Sequence, residues 1–169
     1  TFLLEIIDSV NRAKAKYADD QFIVGYRFSP EESEEDGITL DETVQLVDRL
    51  ADENLDYLHI SLGDFRSEAR RYSGEKDNRI KILKRVIDGR VPFIGVGSIY
   101  SPEDAKEAME TGADLMLKGT LNSIVDQEGG ESVIFYQIDL ELTDLQSHKK
   151  LWIGDKKIKK YVSQSGVKL

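Results

Sequence analysis

An arginine stands near the end of a stretch that otherwise reads as a buried strand. Residues 22–32 are FIVGYRFSPEE, in which Arg27 follows an apolar run. An unpaired buried guanidinium is too unfavourable to keep, so Arg27 must contact an acceptor. The residues alone favour an ion pair at the end of this strand, with Glu31, Glu32 or Asp64 as the partner.

A glycine-containing stretch could approach a ligand with its backbone. GVGSI spans residues 95–99 and places Gly97 beside Ser98. Glycine lets the backbone come close to another group, and amide groups at a turn from strand to helix suit an anion. The alternative is a strand that simply ends in a tight turn.

Histidines are the remaining candidates for chemistry. His59 lies in the apolar stretch YLHISLG, and His148 lies in an expected hairpin turn with no partner in view. A lone histidine in an apolar strand is more often a satisfied core residue than a catalyst, so we interpret His59 as core. The chain has no cysteine, which excludes disulfides, thiolate zinc sites and cysteine nucleophiles, and we predict no metal site.

The totals limit the class of protein that can carry these residues. The 169 residues suffice for a hydrophobic core, with 40% hydrophobic and 33% charged residues. A net charge of −9 argues against a nucleic-acid surface. No run approaches the ~18 apolar residues of a membrane span, and no signal peptide is visible. The first residue is threonine, so we expect a processed protein or a piece of one.

Helix and strand patterns alternate through the first hundred or so residues, which predicts parallel βαβ units. A capping box is expected at Thr39 and Glu42, and an N-cap at Ser101 before Pro102. The expected strands are residues 22–26, 57–62, 93–96 and 115–117, and the helices begin near Phe2, Leu40, Ile80 and Pro102.

The alternation of helix and strand patterns ends after Gly119, where the sequence predicts no further helix. Alternation continues through residue 125, a turn is expected at residues 129–130, and a second alternating run covers residues 134–142. A third strand is expected at residues 151–162, with Gly154 as a bulge. This part predicts a three-stranded antiparallel meander, in which Trp152 packs on the sheet.

Four stretches together resemble a known family. They are TFLLEIIDSV, VGYRFSPEE, GITLDETVQLVDRLADENLDYLHISLG and VPFIGVGSIYSPEDAKEAMETGADLMLKG. In order and spacing they resemble the second half of an old yellow enzyme, the FMN-dependent NAD(P)H:flavin oxidoreductase and ene-reductase family. The resemblance covers residues 2–119 and implies an α/β fold, half of a TIM barrel built from parallel βα units. The antiparallel β-meander would follow it.

The resemblance implies FMN as the cofactor and assigns roles to four residues. Arg27 matches an arginine at the pyrimidine edge of the flavin, where a cation would stabilise negative charge near N1. Gly97 and Ser98 match the backbone that approaches the phosphate, as does Gly119. The family places an arginine after that glycine, and here Thr120 replaces it, which weakens the phosphate site. Lys118 could compensate.

The resemblance also implies what the chain does not contain. The family's substrate-binding histidine motif and catalytic tyrosine lie upstream of the matched region, so catalytic residues stay unassigned. We therefore expect the chain to be inactive alone, to use NAD(P)H if active, and to be cytoplasmic. An open half barrel exposes apolar surface, which favours a homodimer or a complementing half-barrel chain unless the meander covers it.

A second resemblance covers residues 112–162. It rests on a G-A-D strand, a glycine-rich turn, YQIDLELTDL, and a tryptophan followed by a glycine and a basic strand. These features resemble bacterial outer-membrane lipoproteins that activate penicillin-binding proteins, which implies a periplasmic, non-enzymatic protein-binding module. Both resemblances include GADLMLKG, so we predict a chimera, with residues 1–119 as the half barrel and 120–169 as the meander.

Overall fold

The computed structural model describes residues 2–19, 21–128 and 131–163. The chain folds into two compact units, Thr1–Met116 and Leu117–Leu169. Their elements, in chain order, are α1 Phe2–Tyr17, β1 Gly25–Phe28, α2 Leu40–Leu50, β2 Tyr57–Ile60, α3 Arg79–Ile87, β3 Phe93–Gly95, α4 Pro102–Met109, β4 Leu115–Glu128, β5 Glu131–Asp144 and β6 Lys150–Ser163.

The strands of the first unit are parallel and lie in chain order. β1 pairs with β2, β2 with β3, and β3 with the first residues of β4. A helix stands between each strand and the next. This is the βα repeat of a barrel, with four of the eight strands that a complete TIM barrel has. The predicted class is confirmed: parallel βα units form a half barrel, and antiparallel strands follow.

Local signals in the sequence set the helix boundaries. The Thr39 hydroxyl accepts the Glu42 N–H while the Glu42 carboxylate accepts the Thr39 N–H, so the predicted capping box begins α2. Ser101 caps α4 in the same manner. The Asn78 side chain caps α3, which the sequence analysis did not anticipate, and α3 ends at Asp88 in the left-handed conformation.

The core of the first unit lies between its sheet and its helices. In β2 buried residues alternate with half-buried ones, whereas all three residues of β3 are buried. The apolar side chains with at most 1% exposure are Leu40, Val47 and Leu50 of α2, Leu58 and Ile60 of β2, Phe65, Ile80, Leu83 and Ile87 of α3 and its approach, and Phe93 of β3. Burial of this apolar surface is the main stabilising term of the unit.

An aspartate joins a helix and two strands at the amino end of β2. Asp56 Oδ2 accepts the Val24 N–H at 2.6 Å and Lys14 Nζ at 2.9 Å. The Asp56 N–H returns a bond to the Val24 carbonyl at 2.7 Å. These bonds lower the pKa of Asp56, the Val24 N–H first and Lys14 second.

The same arrangement recurs two strands later. Asp114 accepts Lys84 Nζ of α3 at 2.6 Å and the Phe93 N–H of β3 at 3.0 Å. Its own N–H donates to the Phe93 carbonyl at 3.0 Å. Each aspartate directly precedes a strand and fixes the start of the strand before it. Both lie at the amino ends of the strands, the side of a βα barrel where side chains serve stability.

β1 begins three residues later than the sequence predicts. We expected a buried strand at residues 22–26, but Phe22 is 54% exposed and Ile23 is 65% exposed. Asp19 holds a turn before them, because its carboxylate accepts the Gln21 N–H and its carbonyl accepts the Phe22 N–H. The chain joins the sheet only at Gly25. The apolar run therefore predicted both the start of the strand and its burial wrongly.

The second unit continues β4 and adds β5 and β6. Within it β5 lies between β4 and β6, and β5 pairs with β6 in antiparallel register from Glu131↔Ser163 to Thr143↔Lys150. The predicted meander is confirmed, although its turn at residues 129–130 lies outside the described residues.

Glycine 154 does not form the predicted bulge. The irregularity in the β5–β6 ladder falls between Leu142 and Thr143, and Gly154 pairs regularly with Leu140. A side chain at Gly154 would collide with the Trp152 ring, which covers it. Trp152 therefore packs on the sheet as predicted, yet 50% of it is exposed.

The second unit buries little apolar surface. Among its described residues Leu145, at 7% exposure, is the one hydrophobic side chain classed as buried. Exposed apolar side chains lie on all three strands: Leu121, Ile124, Val125, Phe135, Leu151, Trp152, Ile153, Ile158 and Tyr161. β6 forms one edge of this unit and carries many lysines, a composition that discourages pairing with further strands.

No described helix has both the length and the apolar character that a membrane span requires.

Candidate functional site

The predicted ligand residues of the first unit lie where three neighbouring strands end. Arg27 is in the second half of β1, Ser61 directly follows β2, and Gly97 with Ser98 follows β3. Parallel strands bring their carboxyl ends to one edge of a sheet, which is where βα barrels build ligand sites. The topology therefore brings Arg27, Ser61 and the Gly97–Ser98 turn toward one edge of the sheet.

Arg27 is exposed and contacts a hydroxyl group. Its Nη2 donates to Ser61 Oγ at 2.6 Å, and Arg27 stands opposite His59 in the β1–β2 register. The expected ion pair with Glu31, Glu32 or Asp64 was wrong, since none of these acids contacts Arg27 among the described residues. A guanidinium has five N–H donors, so Arg27 keeps donors for an anionic or carbonyl ligand.

Glu31, the expected partner of Arg27, is engaged elsewhere. Its carboxylate accepts Arg79 Nε at 2.5 Å and the Arg71 N–H at 2.7 Å, and its side chain is fully buried. Burial alone would raise the pKa of Glu31, but the amides of Arg71 and Arg70 and the charge of Arg79 lower it. This pair ties the loop after β1 to the start of α3.

His59 is not a satisfied core residue. It is half-buried, and its buried Nε2 atom has no hydrogen-bond partner among the described residues. Burial lowers the pKa of His59, and the positive charge of Arg27 lowers it further. His59 is thus a half-buried imidazole near the Arg27 cation, and its protonated form is disfavoured by burial and by that charge.

The turn after β3 has the close backbone approach that the sequence predicts. Gly97 has φ = 132° and Ser98 has φ = 46°, both in the region that favours glycine. A Cβ at Gly97 would lie 2.9 Å from the Leu62 carbonyl oxygen and 2.9 Å from the Phe65 nitrogen. The group that approaches Gly97 on this side is therefore the loop after β2.

Two hydrogen bonds hold those loops together. The Phe65 N–H donates to the Gly97 carbonyl at 3.4 Å, and Ser98 Oγ donates to the Gly63 carbonyl at 2.6 Å. The Ser98 hydroxyl is thereby used inside the protein. Among the described residues no acceptor is found for the Gly97 and Ser98 N–H groups; Gly97 is buried and Ser98 is half-buried.

A network that the sequence analysis missed supports this turn. Arg66 Nη2 donates to Asp104 at 2.5 Å and Arg66 Nε to Glu107 at 2.8 Å. Asp104 also accepts the Tyr100 and Ser101 N–H groups at 3.0 and 2.9 Å. These bonds, led by Arg66, hold the pKa of Asp104 far below its usual range. The capping signal at Ser101 could have identified Asp104 but not Arg66.

Gly119 and Thr120 belong to the second unit and lie inside β4. A Cβ at Gly119 would lie 3.0 Å from Leu140 of β5, so Gly119 allows two strands to approach. Successive strand residues face opposite sides of a sheet, hence Thr120 points away from the face that Gly119 occupies. Lys118 shares the Thr120 face. The pKa of Glu141 is lowered mainly by the hydrogen bond with Lys150, and the charge of Lys118 adds a smaller part.

The first unit has two kinds of donor group that a flavin nucleotide would require. Arg27 presents an exposed guanidinium, which would suit a pyrimidine edge, and the Gly97–Ser98 turn has backbone amides of the kind that would suit a phosphate. The described residues contain no cluster of three or more histidine, cysteine or carboxylate side chains suited to a metal ion.

Comparison with known proteins supports the first resemblance. The chain is 47% identical over 118 residues to the probable NADH-dependent flavin oxidoreductase YqiG of Bacillus subtilis, which covers 70% of the chain and 32% of YqiG. It is 36% identical over 124 residues to the NADH:fumarate oxidoreductase of Klebsiella pneumoniae and 34% identical over 122 residues to the NADH:acrylate oxidoreductase of Vibrio harveyi. Each match covers 70% of this chain, and 13% and 12% of the respective relative.

The second resemblance is supported as well. Residues 97–158 match the family described as the peptidoglycan-synthase activator LpoB. The crystal structure of lipoprotein GNA1162 from Neisseria meningitidis matches 37% of the chain and 44% of that structure, with 23% identity and a TM-score of 0.32. The match to the LpoB family and the matches to flavin oxidoreductases give the chain the similarity to two families expected of a chimera. The chain spans at most about a third of the flavin oxidoreductases named above.

Proposed function

We propose that the first unit is a flavin-binding part of an NADH-dependent flavin oxidoreductase and that its cofactor is FMN. The observation that carries this proposal is the exposed Arg27 guanidinium at the same sheet edge as the Gly97–Ser98 turn. The identity to flavin oxidoreductases across 70% of the chain supports it. When bound, FMN would take up a hydride equivalent from a nicotinamide and pass electrons to an acceptor.

The protein's own groups would bind and orient the cofactor. Arg27 would donate to the pyrimidine edge while Ser61 keeps its guanidinium in place. The Gly97 and Ser98 amides would donate to the phosphate. Gly119 and Thr120 lie in the second unit, so the phosphate contact of Gly119 and its weakening by Thr120 stay predictions from the sequence resemblance.

The 169-residue chain is proposed to be inactive as an ene-reductase by itself. Its matched region is at most 32% of the relatives' length, so most of a substrate pocket must come from residues other than these. A second copy or a complementing half-barrel chain could supply them. With a flavin cofactor and NADH as the electron donor, the proposed location of the protein is the cytoplasm.

FMN titration of the purified chain tests the proposal. We expect visible flavin absorption to remain after desalting, and Arg27→Ala to weaken binding roughly ten- to a hundredfold. The estimate takes a hydrogen bond to a charged group as about 1.5–3 kcal/mol. Arg12→Ala is the matched control, because Arg12 lies on α1 and pairs only with neighbouring α1 residues in the described part of the chain.

If the wild type retains no FMN after desalting and Arg27→Ala leaves the titration unchanged, the flavin proposal fails. NADH oxidation by the FMN-loaded chain should stay at the rate of free FMN, and a faster rate would contradict the proposed inactivity.

The alternative function is a protein-binding module of the periplasm. The observation that favours it is a groove of about 520 Å³ in the second unit, lined by apolar and basic side chains that include Ile124, Phe135 and Lys159. Lys159 Nζ lies 5.3 Å from the Phe135 ring and 4.7 Å from the Tyr161 ring. Binding to a purified peptidoglycan synthase that Phe135→Ala abolishes, without FMN binding, would favour this function over the first.

A further inference from the structure

We infer that Arg66 is a positioning residue, which holds the Gly97–Ser98 turn in the shape that accepts the flavin phosphate. The inference deepens the proposed FMN site and rests on it. Neither the sequence motifs nor the relatives' names assign a role to Arg66. Its guanidinium connects the loop after β2 to the first turn of α4.

Asp104 fixes the chain directly after the turn. One of its carboxylate oxygens accepts both the Tyr100 and the Ser101 N–H groups, at 3.0 and 2.9 Å. The Asp104 N–H in turn donates to Ser101 Oγ at 3.1 Å. The segment that leads from Ser98 into α4 therefore has a fixed end.

Arg66 connects that fixed end to the other side of the turn. Its guanidinium donates to the second Asp104 oxygen at 2.5 Å, and it lies 4.2 Å from the centroid of the Phe65 ring. Phe65 is 1% exposed and its N–H donates to the Gly97 carbonyl. Phe65 thus holds Gly97 in place, and Asp104 holds Ser101 in place. Arg66 contacts both Phe65 and Asp104.

Charge provides a second reason for Arg66. Asp104 and Glu107 place two carboxylates beside a turn that would bind a dianionic phosphate, and Asp64 places a third 3.7 Å from Arg66. The single guanidinium of Arg66 bonds to Asp104 and Glu107 and lies near Asp64. Without it, these negative charges would lose their shared cation and would oppose an incoming phosphate.

The test compares FMN with riboflavin, which lacks the phosphate. We expect Arg66→Met, which keeps an apolar stem over Phe65, to raise the Kd for FMN roughly tenfold and to leave the Kd for riboflavin unchanged. Arg66→Lys keeps one charge but loses the two-carboxylate geometry, so an intermediate Kd for FMN is expected. Arg12→Met, which removes an exposed arginine from α1, should change neither Kd.

Asp104→Asn separates positioning from charge. This variant removes a negative charge, so charge alone predicts tighter FMN binding, whereas positioning predicts weaker binding because the bonds to Arg66 and the two amides weaken. Thermal unfolding would show whether Arg66→Met folds. If it does not fold, the FMN Kd of Asp104→Asn still tests the positioning role.

Three results would overturn the inference. Equal weakening of FMN and riboflavin by Arg66→Met would show general structural damage, and an unchanged FMN Kd would show no role. Tighter FMN binding by Asp104→Asn would show that Arg66 acts through its charge alone and not by positioning the turn. A wild type that binds no FMN would overturn the proposed function as well, which distinguishes that failure from the other three.

Discussion

The two units differ in where their apolar side chains lie. In the first unit, helices cover a parallel sheet, and Leu58 and Phe93 are fully buried. In the second unit the strands are far longer, with 14 residues each, yet Trp152 is 50% exposed and Ile124 is 71% exposed. The first unit is therefore stabilised by a core, and the second mainly by its backbone ladder and cross-strand pairs.

This difference shows what hydrophobic alternation predicts and what it does not. Residues 117–125 and 134–142 alternate as regularly as any strand of the first unit. Alternation specifies which face of a strand is apolar, but burial requires a second layer that packs on that face. The first unit has that layer in α2 and α3.

The largest expected effect is the contrast between two leucines in strands. Leu58→Ala should reduce the free energy of unfolding of the first unit by about 2–5 kcal/mol, because Leu58 is fully buried. Leu140→Ala, at a half-buried site, should cost about 1 kcal/mol or less, in proportion to the smaller area removed from water.

Chemical denaturation measures both. Circular dichroism follows the helices of the first unit, and the fluorescence of Trp152, the one tryptophan of the chain, follows the second. Equal losses from the two substitutions would mean that the second unit has a core comparable to that of the first, which would remove the basis of the comparison.

The next effect concerns the buried ion pair of the first unit. Glu31→Gln should destabilise the chain by about 1.5–3 kcal/mol, because Arg79 loses its charged partner. Asp8→Asn, in an exposed pair on α1, should have almost no effect.

Glu31 also predicts a pH dependence. Its folded-state pKa lies below that of the unfolded chain, so its contribution is complete above the ordinary glutamate pKa. The contribution is lost as the pH falls through the lower, folded-state pKa. Glu31→Gln should remove this part of the acid sensitivity in denaturation curves, and an unchanged acid limb would contradict the assignment.

Much of the first unit could be predicted because its signals are local. The capping boxes at Thr39 and Ser101 and the βα alternation depend on residues close in sequence, and both are present. The same holds for β4, whose alternation correctly indicated one long strand after Gly119.

The site was predicted less completely because its contacts are long-range. Arg27 was correctly placed at the carboxyl side of β1, but its partner Ser61 is 34 residues away and was not foreseen. The Arg66–Asp104 contact spans 38 residues and has no periodic signal. His59 was expected to have its hydrogen bonds satisfied, but its Nε2 atom has no partner among the described residues. The partners of a strand residue lie on neighbouring strands, and the sequence does not show which residues these are.

His59 gives a smaller effect that sharpens the comparison at low pH. Its folded-state pKa is lowered by burial and by Arg27, so the unfolded chain takes up a proton first as the pH falls below about 6.5. Stability should therefore decline from pH 7 to pH 5, and His59→Phe should flatten that decline. Arg27→Gln should reduce it in part, since one of the two causes is removed, and an unaltered slope in both variants would refute the role of His59.

The smallest expected effect tests the two aspartate sites at the amino ends of the strands. Lys14→Met removes a bond to Asp56, whose side chain is 43% exposed, while Lys84→Met removes a bond to Asp114, whose side chain is 26% exposed. Exposed ion pairs contribute about 0–1 kcal/mol to the free energy of unfolding. Asp114 is less exposed than Asp56, so the Lys84–Asp114 pair should contribute the larger part of that range.

We therefore expect both substitutions to lower the free energy of unfolding by under about 1 kcal/mol, with Lys84→Met the more harmful. Added salt should reduce the difference between wild type and Lys14→Met more than that for Lys84→Met, because screening acts most on the exposed pair. Each aspartate keeps its bonds with the strand backbone in these variants, which is why the losses stay small. A larger loss for Lys14→Met would show that the two sites, alike in geometry, do not follow the order that their exposure predicts.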